Sequence, residues 1–298
     1  MVLNRRPAAE VDVTWSLVHG LLLRQHPDLA ALRLRHVSSG WDNEVFRLGD
    51  ELVVRVPRRA LAAPLMDNEL RWLPLLSAGL PLPVSAPVRA GRPDESFPWP
   101  WAVARWLPGS IAADTPLDDP RQAAGALGRF VRAFSRPAPD DAPVNPFRGV
   151  PLAARDPALR ERLAHWGAVA AVDHRAVLAR WEHALAAPDW GGPPLWLHGD
   201  LHPANLLVDR GRLSGVIDFG DLTAGDPATD LSVAWMLFDE TGRAIFRDAA
   251  AGPDDATWAR ARGNALAHGV ACLDSSADHR VMSAVAHRTI ASVLADRD

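Results

Sequence analysis

The sequence contains no lysine and no tyrosine, and its one cysteine is Cys272. A single cysteine excludes an internal disulfide and a zinc site built from cysteine ligands. It also indicates a reducing compartment, so we expect a cytoplasmic protein. Because lysine is absent, all 32 of the lysine-plus-arginine cations in the 298-residue chain are arginines.

A strong charge imbalance and long apolar runs are missing too. The 32 arginines stand against 36 acidic residues, a net charge of −4 that lacks the basic footprint of a nucleic-acid-binding domain. The apolar run Leu21–Leu23 is far too short for a signal or membrane segment. With 48% hydrophobic residues, the chain can bury a sizeable core. We therefore expect a globular protein that binds neither nucleic acid nor a membrane, and composition leaves its oligomeric state open.

The first hundred residues combine helix and strand signals. Apolar periodicity predicts one amphipathic helix over 11–25 and another over 60–78. Gly49 and Asp50 suit a hairpin turn between two short Val- and Leu-rich runs. A second turn, at Pro108 and Gly109, follows the last predicted strand of this part. The predicted strands are 32–37, 44–48, 52–56 and 99–107.

Beyond Pro108 the chain is mostly helical, with long Ala- and Leu-rich segments. We expect the few strands of this part to flank a polar motif near residue 200. The fold class is therefore α+β and bilobal, with a smaller β-rich lobe over 1–107 and a larger helical lobe over 108–298. The predicted helices are 119–136, 155–187, 228–249, 255–273 and 277–295.

The polar cluster HGDLHPAN, His198–Asn205, lies between two short apolar runs, which favours a tight loop. A second turn, Asp218–Asp221, follows an apolar strand that ends at Ile217. Asp, Asn and Gly are common in ordinary turns, so any one of these positions alone indicates little. Their ordered combination on two strand–loop units favours a catalytic site over ordinary turns.

That combination suits phosphoryl transfer. The reaction needs a group that orients and deprotonates the attacking hydroxyl, and oxygen ligands for the Mg²⁺ that neutralises the phosphates. Here Asp200 is followed five positions later by Asn205, and then by Asp218 on the next turn. The protein-kinase catalytic loop and its metal-binding turn use the same order of parts.

With these residues the sequence resembles the aminoglycoside phosphotransferase superfamily, the antibiotic and metabolite kinases with a protein-kinase-like fold. The resemblance spans most of the chain. It is carried by HGDLHPANLL at 198–207, IDFGD at 217–221 and GDPATDL at 225–231.

The resemblance implies a role for each matched position. Asp200 would be the catalytic base, and Asn205 and Asp218 would bind Mg²⁺. His198 would brace the loop. Asp226 and Asp230 are expected to serve the architecture, since Asp226 also precedes Pro227 as a helix N-cap would.

The nucleotide, ATP or GTP, is expected at the N-terminal lobe. Kinases hold its phosphates with a strand lysine paired to a helix glutamate. The equivalent strand here offers Arg55, with Glu69 as its partner, although Arg55 also suits a plain edge cation paired with any nearby acid. The loop candidates for covering the phosphates are Ser39, Gly40 and Asn43. The strand that contacts adenine would offer Arg105 and Trp106.

The acceptor is expected to be a small molecule with a hydroxyl group, with an aminoglycoside or related antibiotic as the leading class. Only seven residues separate Asp218 from Asp226, which leaves no room for the activation segment of a protein kinase. Aminoglycosides are polycations, so carboxylates would suit their cleft. The candidates are Asp221, Asp239, Glu240, Asp274 and Asp278, although each also suits a plain surface.

Other functions stay open at this point. Trp235 and Trp258 would suit an apolar acceptor such as a macrolide, or simply core packing. A sugar or amino alcohol is a further acceptor class. Because Arg55 replaces the usual lysine, a pseudokinase that binds nucleotide without turnover is another alternative. A scaffold that binds through its tryptophans has no local support in the sequence.

Overall fold

The computed structural model describes residues 7–166, 172–275 and 279–296. Its N-terminal part is a five-stranded antiparallel sheet with strand order β1-β2-β3-β5-β4. Helices α1 (Trp15–Gln25) and α2 (Ala63–Leu76) accompany the sheet. The strands are β1 (Leu34–Ser39), β2 (Asn43–Leu48), β3 (Leu52–Pro57), β4 (Pro87–Gly91) and β5 (Trp101–Arg105).

Alternation along the hairpin of β2 and β3 buries one face of this sheet. Phe46 and Leu48 on β2 share an apolar cluster with Val54 and Val56 on β3. Helix α1 adds its own apolar face to that cluster. The helix begins at Trp15, not at Val11, because the Thr14 hydroxyl oxygen accepts the N–H of Leu17 at 3.2 Å and caps the first turn.

The C-terminal part is mainly helical. The predicted helix 155–187 is two helices, with residues 167–171 outside the described part, and the predicted helix 228–249 is three. One cause of the second break is Asp239, whose Oδ1 accepts the N–H of Gly242 at 2.8 Å and starts a new helix. The helices are α3 (Pro120–Phe134), α4 (Asp156–Trp166), α5 (His174–Leu185), α6 (Ala228–Leu231), α7 (Val233–Leu237), α8 (Glu240–Ala250), α9 (Asp255–Ser275) and α10 (Arg280–Ala295).

Two small antiparallel sheets frame the polar motif. One has the strand order β6-β8-β9 and the other pairs β10 with β7. The motif loop leaves β7 at Leu197, and the second turn leaves β9 at Val216. The pairing of β10 with β7 therefore brings the two turns side by side. The strands are β6 (Ser110–Ile111), β7 (Leu195–Leu197), β8 (Leu206–Asp209), β9 (Arg212–Val216) and β10 (Thr223–Gly225).

Helix α9 runs through the centre of the helical part. Its residues Ala261, Ala265, Leu266 and Val270 are fully buried in the larger apolar core. None of the helices in the described ranges combines the length and apolar character needed to cross a membrane. The division into lobes at residue 107 falls between β5 and β6 and stays a prediction.

A buried ion pair ties α9 to the segment that precedes α6. The Arg260 guanidinium donates to both carboxylate oxygens of Asp226, at 2.7 and 3.2 Å. It also donates to the carbonyl of Pro188 at 2.6 Å, while Asp226 accepts the N–H of Ala228 at 3.0 Å. Both side chains are almost fully buried, so each charge depends on the other.

We expect Arg260→Met to lower the free energy of unfolding by about 3–5 kcal/mol, because it leaves the Asp226 carboxylate buried without its cation. Urea denaturation followed by tryptophan fluorescence measures the loss. The control is Asp141→Asn, which breaks an ion pair with Arg71 in which both side chains are 60% exposed. That change should cost less than about 1 kcal/mol. Equal losses in the two variants would contradict a stabilising role for the buried ion pair of Arg260 and Asp226.

Candidate active site

The loop after β7 is held in place by the carboxylate of Asp230 on helix α6. Asp230 accepts the N–H of His198 at 2.7 Å and the N–H of Gly199 at 3.0 Å. Burial raises the pKa of Asp230, although the nearby His198 ring and these two N–H groups oppose that rise. The two bonds fix the backbone immediately before Asp200.

The ring of His198 joins this loop to the second turn. It is fully buried and packs against Phe219, with ring centroids 4.5 Å apart. Its Nδ1 accepts the N–H of Asp200 at 3.2 Å, which leaves Nε2 to donate to the carbonyl of Ile217 at 3.0 Å. These contacts agree with the bracing role that the family resemblance implies.

Gly199 lets the two turns approach each other closely. Its φ of +84° lies in the left-handed region, and a Cβ at this position would lie 2.1 Å from the carbonyl oxygen of Asp221. Any side chain here would therefore push the loop away from the second turn.

The three residues predicted to perform the chemistry share one backbone network. The amide nitrogen of Asn205 donates to the carbonyl of Asp200 at 2.9 Å. The N–H of Ile217 donates to the carbonyl of Asn205 at 3.0 Å, so Asp218 is the next residue along. Asp218 adopts φ +63°, a left-handed conformation that Asp tolerates, and its side chain is 57% exposed.

The structure brings Arg55 and Glu69 to the same turn. The Arg55 guanidinium pairs with Glu69 on α2, which is 1% exposed, and donates to Asp218 Oδ1 at 3.1 Å. Burial alone would lower the pKa of Arg55, but the two carboxylates raise it, so the guanidinium stays charged. Arg55 on β3 therefore joins the N-terminal sheet to the turn of Asp218.

The loop between β1 and β2 is braced by its own polar groups. The N–H of Gly40 donates to the carbonyl of Asn43 at 2.8 Å, which closes a turn. The hydroxyl of Ser39 donates to Glu44 at 2.6 Å. Within the described residues, the buried side-chain oxygen of Asn43 has no hydrogen-bond partner. Among the loop residues predicted to cover the phosphates, Asn43 is thus the one whose side-chain oxygen is still able to accept a hydrogen bond.

Arg105 and Trp106 lie where β5 ends, but the backbone N–H of Trp106 donates to the carbonyl of Glu51 at 2.8 Å. The carbonyl of Arg105 accepts from the Ser85 hydroxyl at 2.8 Å. The Trp106 ring also lies under the guanidinium of Arg47, at 4.7 Å from the ring centroid. These backbone groups are already engaged within the chain.

On the opposite side of the site, Arg148 bridges two carboxylates. Its Nη2 lies 2.6 Å from Asp200 Oδ1, and its Nε lies 3.4 Å from Asp221 Oδ2. His202 Nε2 lies 3.3 Å from the other oxygen of Asp200. Burial by itself would raise the pKa of Asp200, but Arg148 and then His202 hold it well below its usual range. Asp200 is therefore ionised and covered by cationic or donor groups.

Beyond Arg148 lies a small pocket with a second arginine, Arg155. Arg155 donates to the amide oxygen of Asn264 at 2.8 Å and to the carbonyl of Phe147 at 3.1 Å. Burial and the charge of Arg148 lower the pKa of Arg155 to about 10. The pocket is lined by Arg148, Arg155, Asp200, Thr229, Ser232, Asn264 and His268, among others.

The carboxylates expected in the acceptor cleft do not gather there as a set. Asp221 does lie beside Asp200, where it accepts from Asn145 at 2.7 Å as well as from Arg148. Asp239 caps helix α8, and Glu240 is exposed in the first turn of that helix. Asp274 lies in α9, where its side chain is outside the described part, and Asp278 is also outside it.

The two tryptophans considered for an apolar acceptor lie in the core instead. Trp235 and Trp258 are buried, with ring centroids 6.1 Å apart. Trp235 Nε1 donates to Asp296 at 2.8 Å. Their packing accounts for both side chains.

Arg148, Arg155, Asn264 and His268 were missed by the sequence analysis. Each stands more than 40 residues from Asp200 in the chain, and none belongs to a motif. A weak signal does precede Arg148: the run Asn145-Pro-Phe-Arg-Gly149 is typical of an ordered loop within an otherwise helical part. Only the fold brings these residues to the site.

Comparisons with known proteins bear on the fold and the family of the chain. The phosphotransferase enzyme family (APH) matches residues 33–263. Aminoglycoside 2'-phosphotransferase-IIIa, solved as a GDP complex, has a TM-score of 0.68 at 20% identity, over 93% of this chain and 97% of that one. Macrolide 2'-phosphotransferase MphH from Brachybacterium faecium has a TM-score of 0.59 at 24% identity, over 94% and 99%. The predicted bilobal α+β fold is confirmed.

A curated relative matches over a shorter stretch. The uncharacterized protein YcbJ of Bacillus subtilis (strain 168) is 38% identical over 52 residues. The match covers 17% of this chain and 17% of that relative.

We expect Gly199→Ala to lower the free energy of unfolding by about 3 kcal/mol or more, because it adds a clash with Asp221 to an unfavourable backbone conformation. Gly79→Ala is the matched control. Gly79 has φ +76°, and a Cβ there meets nothing within 4 Å. The control should lose only about 1–2 kcal/mol. Urea denaturation of both variants checks the difference, and indistinguishable losses would refute the close approach of the two turns.

Proposed function

The chain belongs to the phosphotransferase enzyme family, and from this premise we propose that it transfers the γ-phosphate of ATP or GTP to a hydroxyl of a small molecule. One observation carries the proposal: Asp200, Asn205 and Asp218 are joined through hydrogen bonds of two adjacent turns. This is the set of groups that phosphoryl transfer requires, a base and two oxygen ligands for a metal.

In the proposed reaction Asp200 accepts the proton of the acceptor hydroxyl. The hydroxyl oxygen bonds to the γ-phosphorus, the bond from that phosphorus to the β–γ bridging oxygen breaks, and the nucleoside diphosphate leaves with the electron pair. The side chain of Asp200 is ionised in the resting site, as a base must be. Arg148 occupies one of its oxygens until the acceptor is bound.

One residue from each of the two turns fits Mg²⁺, which when bound would neutralise charge on the phosphates. Asn205 and Asp218 supply amide and carboxylate oxygens, the ligand type that Mg²⁺ prefers. The amide nitrogen of Asn205 is turned to the Asp200 carbonyl, so its oxygen is the atom left for a cation. The half-exposed side chain of Asp218 is accessible from solvent.

We propose that Arg55 takes the place of the usual kinase lysine and binds the nucleotide phosphates. Glu69 holds the guanidinium by an ion pair, which matches the strand–helix pairing expected of a kinase. Ser39, Gly40, Asn43, Arg105 and Trp106 remain candidates for the rest of the nucleotide site. Of these, Asn43 has the clearest support because its side-chain oxygen is buried without a partner among the described residues.

For the acceptor, the proposal covers antibiotics and related metabolites. Solved relatives include complexes with kanamycin, streptomycin and gentamicin, as well as a macrolide phosphotransferase. An aminoglycoside is therefore the first acceptor class to assay, followed by macrolides, sugars and amino alcohols. Among the carboxylates suggested for such a polycation, Asp221 is the one that lies beside Asp200.

We expect Asp200→Asn to lower kcat by about 100-fold or more, because the variant loses the general base. Release of ADP is measured by a coupled assay with each acceptor. Nucleotide affinity, measured by calorimetry, should change little, since Asp200 contacts the acceptor side. If the wild-type protein and Asp200→Asn release ADP at the same rate with every acceptor, the chain is a pseudokinase and the proposed transfer is wrong.

We expect Arg55→Met to raise KM for ATP by about 10- to 100-fold, the usual loss for a hydrogen bond to a charged group. Arg55→Lys should recover part of this loss, because the ammonium keeps the charge but not the planar fork. The matched control is Arg35→Met, an exposed cation on strand β1 of the same sheet. An unchanged KM in Arg55→Met would exclude contact with the phosphates.

A further inference from the structure

Two arginines share a pocket with Asp200, and the proposed transfer assigns no role to the second of them. Arg148 stands against Asp200 and Asp221, and Arg155 lies behind it in the same pocket. The other side chains that face Asp200 from this side are His202 and His268, with ring centroids 5.3 Å apart. Burial lowers the pKa of His268 to about 3, so this ring is neutral at ordinary pH.

The loop that carries Arg148 is built into the fold. The N–H of Asn145 donates to the Thr223 hydroxyl at 2.9 Å, and the N–H of Gly149 donates to Thr229 at 3.2 Å. The carbonyl of Gly149 accepts the N–H of Asp226 at 3.0 Å. Arg148 therefore lies between two anchored points, and its place over Asp200 is a feature of the architecture.

Arg155 lacks an anionic partner in the described part of the chain. Its hydrogen-bond acceptors are neutral, the amide oxygen of Asn264 and the carbonyl of Phe147. A partly buried guanidinium without an ion-pair partner is unfavourable, and the neighbouring Arg148 adds like-charge repulsion, which the charges of Asp200 and Asp221 offset only in part. An anion bound in the pocket would relieve both costs.

We propose that the acceptor carries an anionic group, a carboxylate or a phosphate, near the hydroxyl to be phosphorylated, and that this group binds at Arg155. The pocket has a volume of about 10 Å³ in the resting site, room for one water molecule, so the anion takes the space that Arg148 leaves when it moves from Asp200. The inference rests on the proposed function, and it places anionic metabolites ahead of the polycationic aminoglycosides as acceptors. Arg155 is the principal ligand, and the Thr229 hydroxyl, which accepts the N–H of Gly149 and keeps its own proton to donate, is the neutral donor in the same pocket. Planar arginine forks suit both kinds of anion.

The same anion explains how the base becomes available. In the resting site Arg148 lies 2.6 Å from Asp200 Oδ1. An acceptor anion beside Arg155 competes for Arg148 and draws it from Asp200, so the oxygen that Arg148 covered can take the hydroxyl proton. A polycationic acceptor has the opposite effect, because both nearby carboxylates are already paired with Arg148 and Arg155 repels it.

Binding is tested on the full chain saturated with Mg²⁺ and a non-hydrolysable ATP analogue, which fills the phosphate site near Arg55. The probes are glycolate, inorganic phosphate and the neutral ethylene glycol. We expect glycolate or phosphate to raise Tm by about 2–5 °C, and ethylene glycol to leave it unchanged. Comparison of the two anions distinguishes a carboxylate site from a phosphate site.

The rise in Tm should disappear in Arg155→Met and persist in part in Arg155→Lys, which keeps the charge and shows that the pocket still folds. Arg160→Met is the matched control, because Arg160 is an exposed cation of helix α4 outside the pocket. It should respond like the wild type. An equal rise in Arg155→Met, or no rise with either anion in the wild type, would overturn the inference.

Turnover of charged and neutral acceptors distinguishes a failure of the anion pocket from a failure of the proposed phosphotransfer. Glucose, glucosamine, glucuronate and glucose 1-phosphate form a matched set of acceptors, and we expect an anionic member to have the highest kcat/KM. Arg155→Met should lower the ratio of anionic to neutral turnover by about 10- to 100-fold. A preference for glucosamine that Arg155→Met does not alter would reject the anion pocket while leaving phosphotransfer intact. Failure of the Asp200→Asn comparison would instead reject the phosphotransfer.

Discussion

The site depends on one carboxylate, that of Asp230, which accepts the two successive N–H groups of His198 and Gly199. These bonds orient the loop so that the ring of His198 can reach the strand before Asp218. Without the two bonds to Asp230, the N–H groups of His198 and Gly199 would be buried and unpaired, and the loop would not be fixed relative to the second turn. Asp226, just before helix α6, pairs with Arg260 of helix α9. This ion pair fixes α6, and with it Asp230, against the helical core.

Much of this arrangement follows from local sequence. The order of Asp200, Asn205 and Asp218 predicts the two turns, because polar turn residues between short apolar runs leave few other conformations. Four of the five strands in the N-terminal sheet and the family resemblance follow from equally strong patterns, whereas β4 (Pro87–Gly91) was not predicted. Arg55 and Glu69 could be paired in advance because the kinase resemblance implies a strand cation paired with a glutamate of the following helix.

Long-range placement could not be predicted in the same way. Arg148 and Arg155 reach the site because the loop at Asn145–Gly149 bonds to Thr223 and Thr229, which are about 80 residues away in the chain. Strands of two or three residues, such as β6 and β10, carry too little periodicity to be recognised. The acidic cleft was predicted from the positions of acidic residues in the sequence. Those positions do not reveal that Asp239 caps a helix.

The ion pair of Arg148 with Asp200 also bears on what the protein does while no acceptor is present. Both oxygens of Asp200 face a partner in that state, Arg148 on one side and His202 on the other. Under the proposed chemistry, these ion pairs would compete with a water molecule for the base, so hydrolysis of the nucleotide in the absence of an acceptor would be slower.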